Sequence, residues 1–77
     1  MIAVYILIQT DVGTAAVVAA ALQDVPGVLE AVSVAGPYDV TARAQAHDID
    51  ELGKLVTSQV QALDGVKRTI SCPVVHL

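Results

Sequence analysis

Few side chains in this sequence are of the types that catalyse reactions or hold metals. His47 and His76 are the only imidazoles, and no histidine pair has the spacing of a metal site. The single cysteine, Cys72, excludes an internal disulfide and a multi-cysteine zinc site. Cys72 also lacks a basic neighbour that would activate its thiol. We therefore expect no catalytic residue, no metal and no cofactor.

Three carboxylates lie close together in the sequence and resemble an acid–base cluster: Asp48, Asp50 and Glu51. The first turn of a helix explains all three equally well, because carboxylates there interact favourably with the helix dipole. Asp48 and Glu51 also have the spacing of a capping pair at a helix start. We interpret the group as structural.

The segment Gly36-Pro37-Tyr38-Asp39 is the best candidate for a binding site. Asp39 stands at the start of a predicted strand, where aspartate is disfavoured. Its carboxylate could hold the amides of the turn, or it could receive the ammonium group of a small ligand beside an exposed backbone turn. The residues alone leave both interpretations open.

Thr69 and Ser71 are a second candidate pair, in the last predicted strand. Residues two apart in a strand share a face, so the two hydroxyls point the same way. Ordinary exposed-strand chemistry explains them as well as ligand binding does.

Composition limits the classes of function. Of the 77 residues, 55% are hydrophobic, and a chain this short buries only about 60% of its unfolded surface. The apolar excess therefore predicts self-association, at least into a dimer. The net charge of −4, with four basic residues and no Trp or Phe, argues against direct nucleic-acid binding.

The same sequence predicts one domain, 1–77, in the cytoplasm. No basic segment precedes the first apolar run, so we expect no signal peptide. The longest stretch without charge, 12–23, is too short to span a bilayer.

The first half of the chain predicts a strand, a helix and a hairpin. Residues 2–9 are apolar at odd and even positions, which indicates a strand covered on both faces. Thr10 or Asp11 offers the N-cap of a helix that ends at Pro26-Gly27. Its apolar residues at helical spacing are Val17, Val18, Ala21, Leu22 and Val25. Strands 28–35 and 38–45 follow, joined by the turn Gly36-Pro37.

The second half predicts a helix and a strand. The helix starts after Asp48 and ends at Asp64-Gly65, with apolar residues at steps of three and four: Ile49, Leu52, Val56, Val60 and Leu63. Strand 66–75 contains Pro73, which indicates an edge strand or a bulge. Gly27-Val28 and Gly65-Val66 follow the two helices in the same way, which suggests a weak internal repeat.

This β-α-β-β-α-β order predicts an α+β, ferredoxin-like fold, a four-stranded antiparallel sheet with both helices on one face. Because the first strand is apolar on both faces, we expect the sheet of a second subunit to cover the other face.

The motifs, taken together, resemble the effector-binding domain of the leucine-responsive/asparagine regulator (Lrp/AsnC) family, the RAM domain. The matching segments cover nearly the whole chain in order: 3–8 (AVYILI), 25–28 (VPGV), 36–40 (GPYDV), 48–52 (DIDEL), 65–69 (GVKRT) and 71–75 (SCPVV). The resemblance implies dimers that join sheet to sheet and assemble into rings such as octamers.

The resemblance also implies that an amino acid or related effector binds where dimers meet. The ligand-binding residues carried over from the family are Gly36, Tyr38 and Asp39 of the turn, and Thr69 and Ser71 of a neighbouring dimer's last strand. The family's regulators carry an N-terminal helix-turn-helix, which this sequence lacks. We therefore expect a stand-alone RAM protein that senses its effector alone or co-assembles with full-length regulators.

Three other functions stay open. A dimeric α+β barrel enzyme has the same element order, and Arg43, in an otherwise apolar or small strand position, is its only sequence support. A structural assembly partner without ligand has the same sequence features. An ACT-type amino-acid sensor is related in fold, but its ligand turn follows the first strand, where residues 9–13 carry no comparable signal apart from Gly13.

Overall fold

The computed structural model describes residues 1–76. Its elements are β1 (Ile2–Thr10), α1 (Ala15–Gln23), β2 (Val28–Ser33), β3 (Val40–Ala46), α2 (Ile49–Lys54) and β4 (Val66–Pro73). A π-helical segment, Leu55–Val60, continues α2. The βαββαβ order predicted from the sequence is confirmed.

The four strands form one antiparallel sheet in the order β2-β3-β1-β4. β1 lies between β3 and β4, so β2 and β4 are the edges. Pro73 is therefore in an edge strand, as predicted, where a missing amide donor does least harm. The register of β1 against β4 shifts between Gln9 and Thr10, at the other end of the pair from Pro73.

Both helices pack on one face of the sheet, which confirms the ferredoxin-like arrangement. The side chains of β1 and β3 that point to this face are fully buried: Val4, Ile6, Ile8, Val40, Ala42, Ala44 and Ala46. The helix layer contributes Val18, Leu22, Leu52, Leu55 and Val60 to the same core.

The opposite face is uncovered in the single chain, and we call it the open face. By register it carries Glu30, Val32, Thr41, Arg43, Tyr5, Leu7, Ile70 and Cys72. Tyr5 is 48% exposed and Val32 42% exposed. One chain therefore covers β1 on one face only, and a cover on the other face stays a prediction.

The turns that follow the two helices repeat the same structure. Gly27 has φ +96 and Gly65 has φ +94, a region that favours glycine. The Gly27 carbonyl accepts a hydrogen bond from the Gln45 amide at 2.9 Å, and the Gly65 carbonyl accepts one from the Asp11 amide at 2.8 Å. Each turn thus binds a neighbouring strand or its end, and the internal repeat suggested by the sequence is present in the structure.

The predicted start of α1 is wrong. Thr10 is the last residue of β1, and Thr14 is the N-cap, without a side-chain capping bond. The Asp11 carbonyl accepts bonds from the Thr14 amide at 3.1 Å and the Thr14 hydroxyl at 2.8 Å. Gly13, with φ +82, allows this turn. Of the predicted apolar residues of this helix, Val18 and Leu22 are buried, whereas Val17 is 69% exposed.

The capping pair at α2 is confirmed, whereas the helix after it differs from the prediction. Asp48 Oδ1 accepts a hydrogen bond from the Glu51 amide at 2.9 Å, and Glu51 Oε1 accepts one from the His47 amide at 3.3 Å. The helical region ends at Val60, before the predicted Asp64. Leu55, outside the predicted apolar set, is buried, whereas Ile49, a member of that set, is 60% exposed.

Candidate functional site

A loop joins β2 to β3, and it contains the candidate binding turn. The sequence predicted strands up to Ala35 and from Tyr38, but β2 ends at Ser33 and β3 begins at Val40. The Val34 amide donates to the Asp39 carbonyl at 2.9 Å and closes the loop. The hairpin is confirmed. Its connection is longer than the predicted turn, because Pro37 and its neighbours do not take part in the pairing of β2 with β3.

Two hydrogen bonds connect Asp39 to the end of β1. Its amide donates to the Ile8 carbonyl at 2.9 Å, and its Oδ2 accepts a hydrogen bond from the amide of Thr10 at 2.9 Å. Thr10 is buried and lies 29 positions away in the sequence. The carboxylate therefore holds a strand end rather than the amides of its own turn. This bond uses only Oδ2, and within residues 1–76 no hydrogen bond reaches Oδ1.

The rest of the loop is open. Gly36 is exposed, and Tyr38 and Asp39 are half-buried. A Cβ built on Gly36 would meet no atom within 4 Å, and its φ is not in the positive region. The fold therefore does not require glycine at position 36, whereas close approach of another molecule to the backbone would benefit from it.

Thr69 and Ser71 lie on β4, opposite Ile8 and Ile6. Since Ile8 and Ile6 point into the core, the two hydroxyls are on the helix side of the sheet, at its free edge. Thr69 is half-buried and Ser71 is exposed. Thr69 Oγ1 accepts a hydrogen bond from Gln61 Nε2 at 3.0 Å, which ties the edge strand to the residue that follows the π-helical segment.

The two halves of the predicted site do not meet within one chain. Asp39 precedes Val40, which pairs with Ile8 on one side of β1, and Thr69 pairs with Ile8 on the other. Two strand spacings, roughly 10 Å, therefore separate the backbones. No cavity was found in the part of the chain that the structure describes.

The other chemistry-bearing residues are scattered. His47 is exposed beside the N-cap of α2, and Cys72 is exposed on the open face opposite Tyr5. Residues 1–76 contain no group of three His, Cys, Asp or Glu side chains that could hold a metal ion. Within the same residues no helix is long and apolar enough to cross a membrane.

Sequence reasoning missed two residues that contact the candidate site, Thr10 and Gln61. The sequence predicted Thr10 as a possible helix cap, although it donates its amide to Asp39. No motif in the sequence pointed to Gln61, because its hydrogen bond with Thr69 depends on how the end of the helical region lies over β4. The run of β-branched residues that continues to Thr10 could have extended β1 and placed its end near the loop.

The sequence model of the Lrp/AsnC ligand binding domain matches residues 3–76. The chain belongs to this family. The resemblance inferred from the motifs is therefore confirmed over nearly the whole chain, and the family is one of transcription regulators.

Individual relatives of this Lrp/AsnC chain agree with the assignment. An uncharacterized HTH-type transcriptional regulator of Pyrococcus furiosus, PF0250, is 33% identical over 54 residues, which are 70% of this chain and 36% of that protein. The chain thus spans about a third of the length of this curated relative.

Solved structures show the same fold. TTHA0845 from Thermus thermophilus superposes with a TM-score of 0.93 and 32% identity, covering 100% of this chain and 96% of that one. The transcriptional regulator NMB0573 from Neisseria meningitidis, solved as a complex with L-Met, has a TM-score of 0.86 at 21% identity, covering 97% of this chain and 50% of that one. Because NMB0573 is only 21% identical to this chain, the similarity between the two concerns the fold alone.

Proposed function

We propose that this chain is a non-enzymatic, oligomeric module that binds an amino acid or related small effector, alone or co-assembled with full-length Lrp/AsnC regulators. The observation that carries the proposal is the match of the family's ligand-binding domain to residues 3–76. The L-Met complex of NMB0573, a protein of the same fold, supports an amino acid as the ligand class.

The ligand site in this proposal is built between chains. Within one chain β1 lies between Asp39 and Thr69, two strand spacings apart, so the proposal takes the two groups from different chains. In the proposal, Gly36, Tyr38 and Asp39 come from one chain and Thr69 and Ser71 from a neighbouring dimer. Asp39 is the group that pairs with the ammonium, since a carboxylate accepts strong bonds from a cationic donor.

Assembly in the proposal begins with the open face. Its apolar residues include Leu7 of β1, Ile70 on the neighbouring β4 and Val32 on β2. Two copies that pack these faces together remove apolar surface from water, which favours association. Dimers then join into a ring and bring the loop of one against β4 of the next.

Native mass spectrometry of the purified protein, alone and with each of the twenty common L-amino acids, tests the proposal. We expect a discrete ring that takes up about one ligand per subunit for one amino acid or a related group of them. A ring that takes up none would contradict effector binding and favour a structural partner, to be pursued by pull-down of full-length regulators. A plain dimer without ligand would contradict the ring as well.

A second candidate is an enzyme of the dimeric α+β barrel type, and the position of Arg43 favours it. Arg43 lies on the open face between Glu30 of β2 and Tyr5 of β1, where a second sheet would enclose it. In this alternative, Arg43→Ala would abolish turnover of a substrate. An activity that survives this substitution would remove the support that Arg43 gives.

A further inference from the structure

One side-chain hydrogen bond reaches the candidate site from outside it. Gln61 Nε2 donates to Thr69 Oγ1 at 3.0 Å. A threonine hydroxyl has one proton to donate and two lone pairs to accept. Because one lone pair is occupied by the amide of Gln61, the proton of Thr69 is turned away from Gln61. Within residues 1–76 no side-chain or backbone oxygen takes this proton.

The position of Gln61 is set by the π-helical segment. The Gln61 amide donates to the Val56 carbonyl at 2.9 Å, five residues back, so Gln61 completes the wide turn. Leu55 and Val60, both buried, fix this segment on the core. Wide helical turns of this kind occur frequently at functional sites.

We propose that Gln61 is a positioning residue that fixes the Thr69 hydroxyl as a donor, so that the site selects a ligand with a carboxylate facing Thr69. This inference rests on the proposed function and deepens it. Asp39 offers acceptors to the ammonium end of an amino acid, and Thr69 offers a donor to the carboxylate end. A bond accepted from Gln61 also polarises the hydroxyl and strengthens the bond that it donates.

Substitutions that reverse the polarity of position 61 test the inference. Gln61→Glu presents only acceptors at neutral pH, so it draws the proton of Thr69 to itself. Gln61→Met has a similar shape and makes no comparable bond. Gln59→Glu adds the same charge to the π-helical segment at an exposed position that makes no hydrogen bond with Thr69. It is the matched control for charge.

The measurement is the dissociation constant, by calorimetry on the intact protein, for the amino acid that binds in the twenty-member panel and for its carboxamide. We expect Gln61→Glu to weaken binding of the amino acid by at least about tenfold and that of the carboxamide much less. Gln61→Met is expected to weaken binding of the amino acid by about threefold. Gln59→Glu should leave the dissociation constants of both ligands as in the unsubstituted protein. Native mass spectra verify that each variant assembles.

Two further variants separate positioning from simple charge repulsion. In a Thr69→Val background, Gln61→Glu should have no additional effect on the ratio of the two dissociation constants, because the hydroxyl is gone. Thr69→Ser should restore the sensitivity to Gln61→Glu.

Two outcomes would overturn the inference. If the unsubstituted protein binds an amino acid and Gln61→Glu matches Gln61→Met, or keeps its effect without the Thr69 hydroxyl, positioning is wrong and the proposed function stands. If the unsubstituted protein binds none of the twenty amino acids or their carboxamides, the proposed function fails and the inference fails with it.

Discussion

At the scale of single residues, Asp39 combines a structural bond with a proposed ligand contact. Its Oδ2 holds the Thr10 amide, and its negative charge is the feature that the ligand ammonium would recognise. The two roles depend on different properties of the side chain, an acceptor oxygen and a charge. Substitutions can therefore separate them.

Asp39→Asn keeps an acceptor for Thr10 and removes the charge, whereas Asp39→Ala removes both. We expect the asparagine variant to lose less than about 1 kcal/mol of unfolding free energy, and the alanine variant about 1–2 kcal/mol, because alanine leaves the amide of the buried Thr10 without its acceptor. Both should lose at least about tenfold in amino-acid affinity. Urea unfolding and calorimetry measure the two effects, and undiminished ligand binding by the asparagine variant would refute the role of the charge.

Gly36 offers a second test at this scale. Since a Cβ there meets no atom within 4 Å and φ is not positive, Gly36→Ala should leave the unfolding free energy unchanged or slightly raised. In the proposed site the added methyl group lies against the ligand or a neighbouring chain, so amino-acid affinity should fall. Calorimetry on the assembled variant measures this, and an unchanged dissociation constant would show that the loop backbone is not approached closely.

At this scale the sequence predicted a hydrogen bond between near neighbours and missed those between residues distant in the chain. Asp48 was predicted correctly as a cap because its partner, Glu51, is three residues away. The partner of Asp39 is 29 residues away and that of Thr69 is a helix-end glutamine. Such contacts depend on the final register of packed elements, which local patterns do not contain.

At the scale of elements, the repeated turn after each helix makes a stability prediction. In Gly65→Ala the new Cβ would lie 2.9 Å from Thr14 Oγ1 and 3.1 Å from Val18 Cγ2, at a positive φ. We expect a loss of about 2–4 kcal/mol in unfolding free energy from backbone strain and the clash with the start of α1.

Gly53→Ala is the matched control for this substitution. Gly53 lies inside α2, where a Cβ meets nothing within 4 Å, so alanine should raise the unfolding free energy by about 0.5–1 kcal/mol. Urea denaturation of the two variants gives the comparison. Equal midpoints would contradict the account of the turn.

The type and order of the helices and strands could be predicted from the sequence, but their first and last residues were predicted less well. Apolar periodicity and the two Gly-Val turns placed all four strands and both helices. The start of α1 was missed because Thr14, rather than Thr10 or Asp11, follows the positive-φ Gly13. The π-helical segment was missed because no side-chain spacing in Leu55–Val60 distinguishes a π-helical from an α-helical turn.

At the scale of the whole molecule, the open face predicts how copies associate. Leu7 lies near its centre, between Thr41 and Ile70. Leu7→Glu would bury an uncompensated charge twice in a symmetric pair, so we expect the dimer dissociation constant to rise at least about a hundredfold. Native mass spectra across a dilution series measure this.

Val12→Glu serves as the control, because Val12 is fully exposed in the turn before α1. It should dimerise like the unsubstituted protein. A Leu7→Glu variant that is folded by circular dichroism and dimerises unchanged would place the subunit contact on another surface.

The strand order also has a consequence for how the chain is made. β1 is synthesised before the other strands, yet its neighbours in the sheet, β3 and β4, follow later, and β4 forms from residues 66–73. Sheet pairing between such distant segments is slow, and an unpaired apolar strand is open to association with other nascent chains. β1 therefore lacks the partner on its second edge until β4, the last strand of this sheet, has been synthesised. Synthesis rate and chaperone access should therefore influence the yield of this domain.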